Sequence, residues 1–245
     1  MRFLKIILAT MGLSVILSAA ANPSILRVGT TGDYPPLTSL NPQTHQYQGT
    51  DITLIEAFAK AEHLQIQFVQ TTWPTLSQDL LTDRFDLAIG GISDSAERQQ
   101  QFLVSQPIRY TGKVPLVRCA DVTKFQTLAE INQPNVRVVE NVGGTNLSFA
   151  KQSVPKAQLI IVQNNETPFA YLSQNKADVM LTDSIEAIYR QQITPGLCAV
   201  NPTHFLSPTT AKVVLFRKNR QSLKQEFNQY FLSLATVSFR ASASS

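Results

Sequence analysis

Short apolar runs alternate along this chain with longer stretches in which apolar residues return every three or four positions. Leu26 to Gly29 is a first extended run, broken into a loop by Asp33-Tyr34-Pro35-Pro36. From Gly49-Thr50-Asp51 onward, Leu54, Ile55, Phe58 and Ala59 mark one apolar face of a helix. Leu64 to Val69 alternates as a strand does, and Trp73-Pro74-Thr75-Leu76 leads into a helix ending near Leu81. Phe85 to Ile89 is a strand stopped by Gly90-Gly91, and Ser93 to Phe102 turns helical. Lys113-Val114-Pro115-Leu116-Val117 reads as an extended crossing into a second set of units. These are the strand Val136 to Val139, Gly143-Gly144-Thr145-Asn146 opening a helix, the strand Gln158 to Val162, a helix around Phe169 to Leu172, and the strand Ala177 to Leu181. Ala211 to Phe216 looks like a returning strand and Leu223 to Leu234 a last helix, with a polar tail, Ala241 to Ser245, expected to fray. Strands alternating with helices predict an α/β architecture.

The first residues do not fit that rhythm. Arg2 and Lys5 precede an apolar run from Ile6 to Leu17, and Ser18-Ala19-Ala20-Ala21 supplies small residues. This is the pattern of a secretory signal peptide, cut after Ala20 or Ala21, with an apolar run too short for a membrane span. No later run is long and apolar enough for a span, so the mature chain is expected to be exported and not inserted in the membrane. About 220 residues then remain, enough for two small lobes. The formal charge of +4 falls by the two leader cations. With no basic stripe interleaved with aromatics, nothing argues for a nucleic-acid partner. His45, His63 and His204 sit at no ligand spacing, so no metal is expected. Cys119 and Cys198 can form a bridge in an oxidising compartment, closing a loop of about 80 residues, or remain two buried thiols.

Several polar residues stand where strands end. Arg98 carries a planar fork suited to a carboxylate, and the backbone and hydroxyl of Gly91 to Ser93 could share that anion; a solvated helical arginine beside Glu97 is the plain alternative. Gly144, with Thr145 and Asn146, could present backbone N–H groups and side-chain donors to an anion, or form an ordinary capped turn. Asp183 and Glu186 lie three apart at a helix start, where they can face one way or simply complement the helix dipole. Trp73, Tyr34 and Tyr110 are candidate aromatic walls, and Lys113 can meet a carboxylate or stay at a hinge surface.

The order of elements resembles the type II periplasmic solute-binding proteins of the polar amino-acid class. The residues that carry the likeness are Arg27 to Pro36, Tyr47 to Asp51, Arg84 to Ser93, and Glu97-Arg98. A narrower likeness is to the periplasmic cyclohexadienyl dehydratases. It rests on Thr72 to Leu76, Gly90 to Ser93, Gly112 to Pro115, Phe125 to Leu128, Gly143 to Asn146, Thr182 to Ala187, and Leu197 to Val200, seven motifs in one order. The chain departs from that family at Ser39 to Thr44 and in its last residues, Val237 to Ser242.

The resemblance implies a two-lobed α/β fold with two crossing hinge strands: a leader over residues 1–21, lobe 1 over 22–113 and 210–245, and lobe 2 over 114–209. It implies a disulfide between Cys119 and Cys198, which fall where the family carries cysteine. It also implies cofactor-independent loss of water and carbon dioxide from a small dicarboxylate, prephenate or arogenate. Glu186 would be the general acid, a carboxyl kept protonated near neutral pH. The substrate would be held by Arg98, Ser93, Gly91, Trp73, Tyr34, Gly144, Thr145, Asn146, Asp183 and Lys113. In amino-acid binders an aspartate like Asp183 pairs with the ligand's ammonium. The alternative function, shared by the same fold, is delivery of an amino acid to a transporter permease.

Overall fold

The protein is seen here as a computed structural model that describes residues 24–243, with side chains through residue 234; the leader read over residues 1–21 lies outside the described part. Two five-stranded sheets form the cores of two lobes. The first gathers strands from both ends of the chain. Ile25–Thr30 pairs in parallel with Gln65–Gln70 and Leu87–Ala88, and Leu215–Phe216 and Leu103–Val104 follow antiparallel. The second repeats that order with residues of the middle of the chain. Arg137–Asn141 pairs in parallel with Gln158–Val162 and Val179–Asp183, and Lys113–Arg118 and Leu197–Ala199 follow antiparallel.

Lys113 to Val117, read from the sequence as a crossing, is a strand interior to the second sheet. Val114, Leu116 and Val117 are wholly buried, because a strand packed on both faces needs apolar residues at successive positions. The crossing is made instead by two shorter strands. Arg109–Thr111 and Thr210–Lys212 pair antiparallel, with Thr210 opposite Thr111 and Lys212 opposite Arg109.

Apolar faces hold each lobe together. The helix Thr50–Ala61 buries Ile52, Ile55, Phe58 and Ala59, which includes Ile55, Phe58 and Ala59 of the stripe expected from the sequence. Phe58 meets Phe227 of the last helix edge to face, with ring centroids 5.4 Å apart. That helix runs Gln221–Ala243 and so takes in the first residues of the tail expected to fray. In the second lobe Cys119 and Cys198 form a disulfide between adjacent strand ends, Cα atoms 4.8 Å apart.

A second device recurs in both lobes. The Arg27 Nε donates to Asp86 Oδ2 (3.2 Å) and its Nη1 to the Asp83 carbonyl (2.7 Å); the Arg137 Nε donates to Asp178 Oδ2 (3.0 Å) and its Nη1 to the Asn175 carbonyl (2.9 Å). Asp83 and Asn175 both sit at positive φ, 65° and 55°, a conformation that Asp and Asn tolerate better than most residues. Each clamp ties the first strand of its sheet to the turn that opens the third. Burial pushes both aspartates up, but the arginine hydrogen bonds win and bring each to about 2.

Candidate active site

The ends of the third strands face each other across the cleft between the lobes. In lobe 1, Ile89 is followed by Gly90 and Gly91, both at positive φ (122° and 76°). A Cβ on Gly91 would lie 2.6 Å from the Tyr34 ring, so the turn can pass the aromatic wall only without a side chain. Its N–H donates to the buried carboxylate of Asp51 (2.8 Å), which also accepts from Arg109 Nη2 (2.5 Å). The Gly91 N–H, expected to meet the ligand, is therefore spent on holding the turn.

Arg98 stands on the short helix Ala96–Gln101, capped by Ser95. Its guanidinium is buried and donates to the Ser93 carbonyl (2.6 Å). Among the described residues no carboxylate lies within ion-pair distance of it, and burial lowers its pKa. A desolvated guanidinium with unused donors is chemically suited to meet an anion. The solvated-surface reading of Arg98 does not describe this side chain.

From lobe 2, Asp183 ends the strand Val179–Asp183 and reaches into the cleft. Its Oδ1 accepts from Lys113 Nζ (2.9 Å), and its Oδ2 accepts from Lys212 Nζ (2.5 Å) and the Tyr34 hydroxyl (2.5 Å). Burial pushes this carboxyl up, yet the two ammonium charges prevail and hold it well below the usual carboxylate range. Lys113 also donates to Thr145 Oγ1 (3.1 Å) and to Asn146 Oδ1, and the Asn146 amide donates to Thr182 (3.2 Å). The Asn146 side-chain carbonyl and one of its two amide hydrogens are thus engaged within lobe 2.

Glu186 lies on the first turn of the helix Ser184–Ile193 and is wholly buried. Its Oε1 accepts from Asn165 Nδ2 (2.8 Å) and its Oε2 from the Thr182 hydroxyl. Burial raises its pKa to about 7, aided by the nearby charge of Asp183 and opposed by Thr182, Arg190 and Asn165. The helix dipole favours ionisation here, but burial outweighs it.

The lobes are closed on one another. Asn165 Nδ2 also donates to the Asp33 carbonyl of lobe 1 (3.0 Å), and Asp33 Oδ1 accepts from the Trp73 indole (3.0 Å). Gly143, at φ 85°, approaches the backbone of Trp73 and Pro74 so closely that a Cβ there would lie 2.3 Å from the Trp73 carbonyl carbon. Tyr34 and Trp73 meet edge to face at 5.7 Å. The cavity left between the lobes is about 20 Å³, room for about a water molecule. Any ring-sized ligand needs the lobes to part.

Tyr34, Trp73, Gly91, Ser93, Arg98, Gly144, Thr145, Asn146 and Asp183 line this cavity together. Lys113 and Glu186 lie just behind its wall, in contact with Asp183 and Asn165 respectively. Tyr110 is 64% exposed and takes no part, because the alternation of its hinge strand turns it outward. Three lining residues were not singled out from the sequence: Asn141, Asn165 and Lys212. Among the described residues, no group of three or more His, Cys, Asp or Glu is placed to hold a metal, and no helix is long and apolar enough to cross a membrane.

Two sheets of one strand order, joined by a pair of crossing strands and closed over a charged cleft, define a hinged ligand-binding fold. The sequence pattern of the bacterial extracellular solute-binding proteins, family 3, matches residues 26–237, and the chain belongs to that family. The "Cyclohexadienyl dehydratase" of Pseudomonas aeruginosa is 41% identical over 178 residues, 73% of this chain; the match spans 66% of that relative, just under two thirds of its length. Among solved structures, an ancestral amino acid-binding protein described as a precursor of cyclohexadienyl dehydratase is 29% identical with a TM-score of 0.81, covering 87% of this chain and 90% of the other. An amino acid ABC transporter substrate-binding protein from Streptococcus pneumoniae, bound to L-arginine, is 26% identical with a TM-score of 0.81, covering 89% and 91%. The likeness read from the seven motifs is thus borne out, and so is the two-lobed fold.

Proposed function

We propose that this protein is an exported, periplasmic cyclohexadienyl dehydratase, a cofactor-independent lyase that acts on prephenate and related ring dicarboxylates. The observation that carries the reading is Glu186, a wholly buried carboxyl raised to about 7, beside a cleft lined with cations. A simple binder has no use for a protonated acid at that place, whereas an elimination needs one.

In the proposed reaction Arg98 grips one substrate carboxylate, and the cationic groups around Ser93 and Thr145 face the other. The ring packs against the wall formed by Tyr34 and Trp73, whose aromatic surfaces exclude water. The substrate wedges between Asn165 and Asp183 and so brings its ring hydroxyl to Glu186. Glu186 gives its proton to that hydroxyl, the C–O bond breaks, and water leaves. The electron pair of the ring-to-carboxylate bond moves into the ring as carbon dioxide departs, and the ring becomes aromatic. Glu186 is left ionised and regains a proton from solvent when the lobes open.

The second reading is an amino-acid-binding protein of a transporter, favoured by the likeness to the arginine-bound structure. Against it stands Asp183, whose two oxygens are already occupied by lysines. Incubation of the purified protein with prephenate, followed by the absorbance of phenylpyruvate, separates the two. Turnover that scales with enzyme supports the dehydratase. An inert protein that binds an ordinary amino acid tightly in calorimetry supports the transporter component.

A further inference from the structure

Lys212, one of the cations beside Ser93, is the most enclosed cation in the cleft. It is 1% exposed and sits on the returning hinge strand Thr210–Lys212, opposite Arg109. Its Nζ reaches Asp183 Oδ2 and Ser93 Oγ (2.8 Å) and stands 5.2 Å from the centre of the Tyr34 ring. Lys113, by contrast, is anchored within lobe 2 by Thr145 and Asn146. Lys212 therefore brings a second positive charge to Asp183 from the hinge and lobe 1 side of the cleft.

Asp183 is the acid among the cavity-lining residues, and so the place where a ligand ammonium would dock. Of the other carboxyls nearby, Asp51 is engaged by Arg109 and Gly91, Asp33 by the Trp73 indole, and Glu186 by Asn165 and Thr182, while Glu140, whose Oε1 accepts from the Leu181 N–H and whose Oε2 has no partner among the described residues, does not line the cavity. An incoming ammonium would have to displace Lys212 from Asp183, leaving a buried ammonium with the Ser93 hydroxyl as its one hydrogen-bond partner and the Tyr34 ring beside it. Separating a buried ion pair in that way is costly. A ligand with a carbonyl oxygen in place of the ammonium displaces nothing and adds negative charge to a cleft in which Arg98, Lys113 and Lys212 face one carboxylate.

We infer that Lys212 is a specificity-determining residue: by occupying Asp183 it makes the cleft select keto dicarboxylates, such as prephenate, over their amino counterparts, such as arogenate. This rests on the dehydratase reading for the ligand class, but not for the logic of selection.

The test is calorimetric binding of prephenate and of arogenate to the Glu186→Gln protein, in which turnover is suppressed, with and without Lys212→Met. The parent should prefer prephenate by at least about tenfold. Lys212→Met, which keeps an unbranched stem of nearly the same length but removes the charge, should cut that ratio to about threefold or less by strengthening arogenate and weakening prephenate. Lys212→Arg should keep the parent's preference, and thermal melting should show both variants folded. A parent that binds the two ligands equally, or a ratio unmoved by Lys212→Met, overturns the assignment, as does a Lys212→Met protein that does not fold paired with a Lys212→Arg protein that loses the preference. If neither ligand binds, the inference and the dehydratase reading fall together. If wild-type protein shows the expected binding preference but no turnover, the dehydratase reading alone falls.

Discussion

In lobe 1 an arginine at the first strand, Arg27, clamps the aspartate before the third, Asp86; in lobe 2 Arg137 does the same to Asp178. The strand order of the two sheets is also the same. The lobes part company at the end of that third strand. Lobe 1 closes it with Gly90 and Gly91, which carry no side chains and let Tyr34 come close, and offers Arg98 from the next helix. Lobe 2 extends it to Asp183 and starts a helix at once, so that Glu186 is buried one turn on. One scaffold thus places a buried guanidinium on one side of the cleft and a buried carboxyl on the other. The difference lies in what each strand end carries, not in how the strand is held.

That comparison can be broken at several points. The largest effect is expected at the lobe 2 strand end. Glu186→Gln keeps the shape but removes the transferable proton, so turnover of prephenate should fall by about a hundredfold or more. Binding measured by calorimetry should survive, because Arg98 is untouched. A smaller effect is expected where the lobes touch. Gly143→Ala places a Cβ against the Trp73 backbone at a positive φ, so closure should be impeded and kcat/KM should drop by about tenfold. Unfolding by urea should show a loss of about 1 kcal/mol, from the backbone conformation alone.

The clamps should matter least to chemistry. Asp86→Asn and Asp178→Asn should each cost about 1–2 kcal/mol in urea unfolding and leave the turnover of folded protein unchanged. Both carboxyls are depressed from 3.8 to about 2. Their contribution is therefore fully present above pH 3.8 and is lost as pH falls toward 2. The wild type should lose stability over that window more steeply than either variant. Variants of one clamp that abolish turnover in folded protein would show that scaffold and site are not separable.

Much of the frame was legible because the apolar rhythm carries it. The strands at Ile25–Thr30, Gln65–Gln70 and Gln158–Val162 and the helix Thr50–Ala61 follow directly from their spacing. The hinge was misplaced because Arg109–Thr111 and Thr210–Lys212 are three residues each, too short for any period to show. Lys212 was missed for a related reason: a lone lysine in a short extended run reads as a solvent-facing position. Asn165 reads as part of an Asn-Asn turn, and only the closed lobes reveal that it bridges Glu186 and Asp33. The clamps escaped notice because their partners are 59 residues apart in lobe 1 and 41 in lobe 2, so no fixed period links them. Tyr110 needed the register of the hinge pair to show that it faces outward.

The central claim is that Glu186 is a carboxylic acid that works while protonated. Burial, which raises its pKa to about 7, means that the active form predominates below that value and is lost above it. The direct measurement is kcat against pH for the wild type and for Glu186→Gln at saturating prephenate. The wild-type rate should hold steady in mildly acidic buffer and bend downward with a slope of about one at or above neutrality, and the residual rate of Glu186→Gln should show no such bend. A wild-type rate that climbs through neutral pH, or an identical bend in both proteins, would contradict the assignment of Glu186.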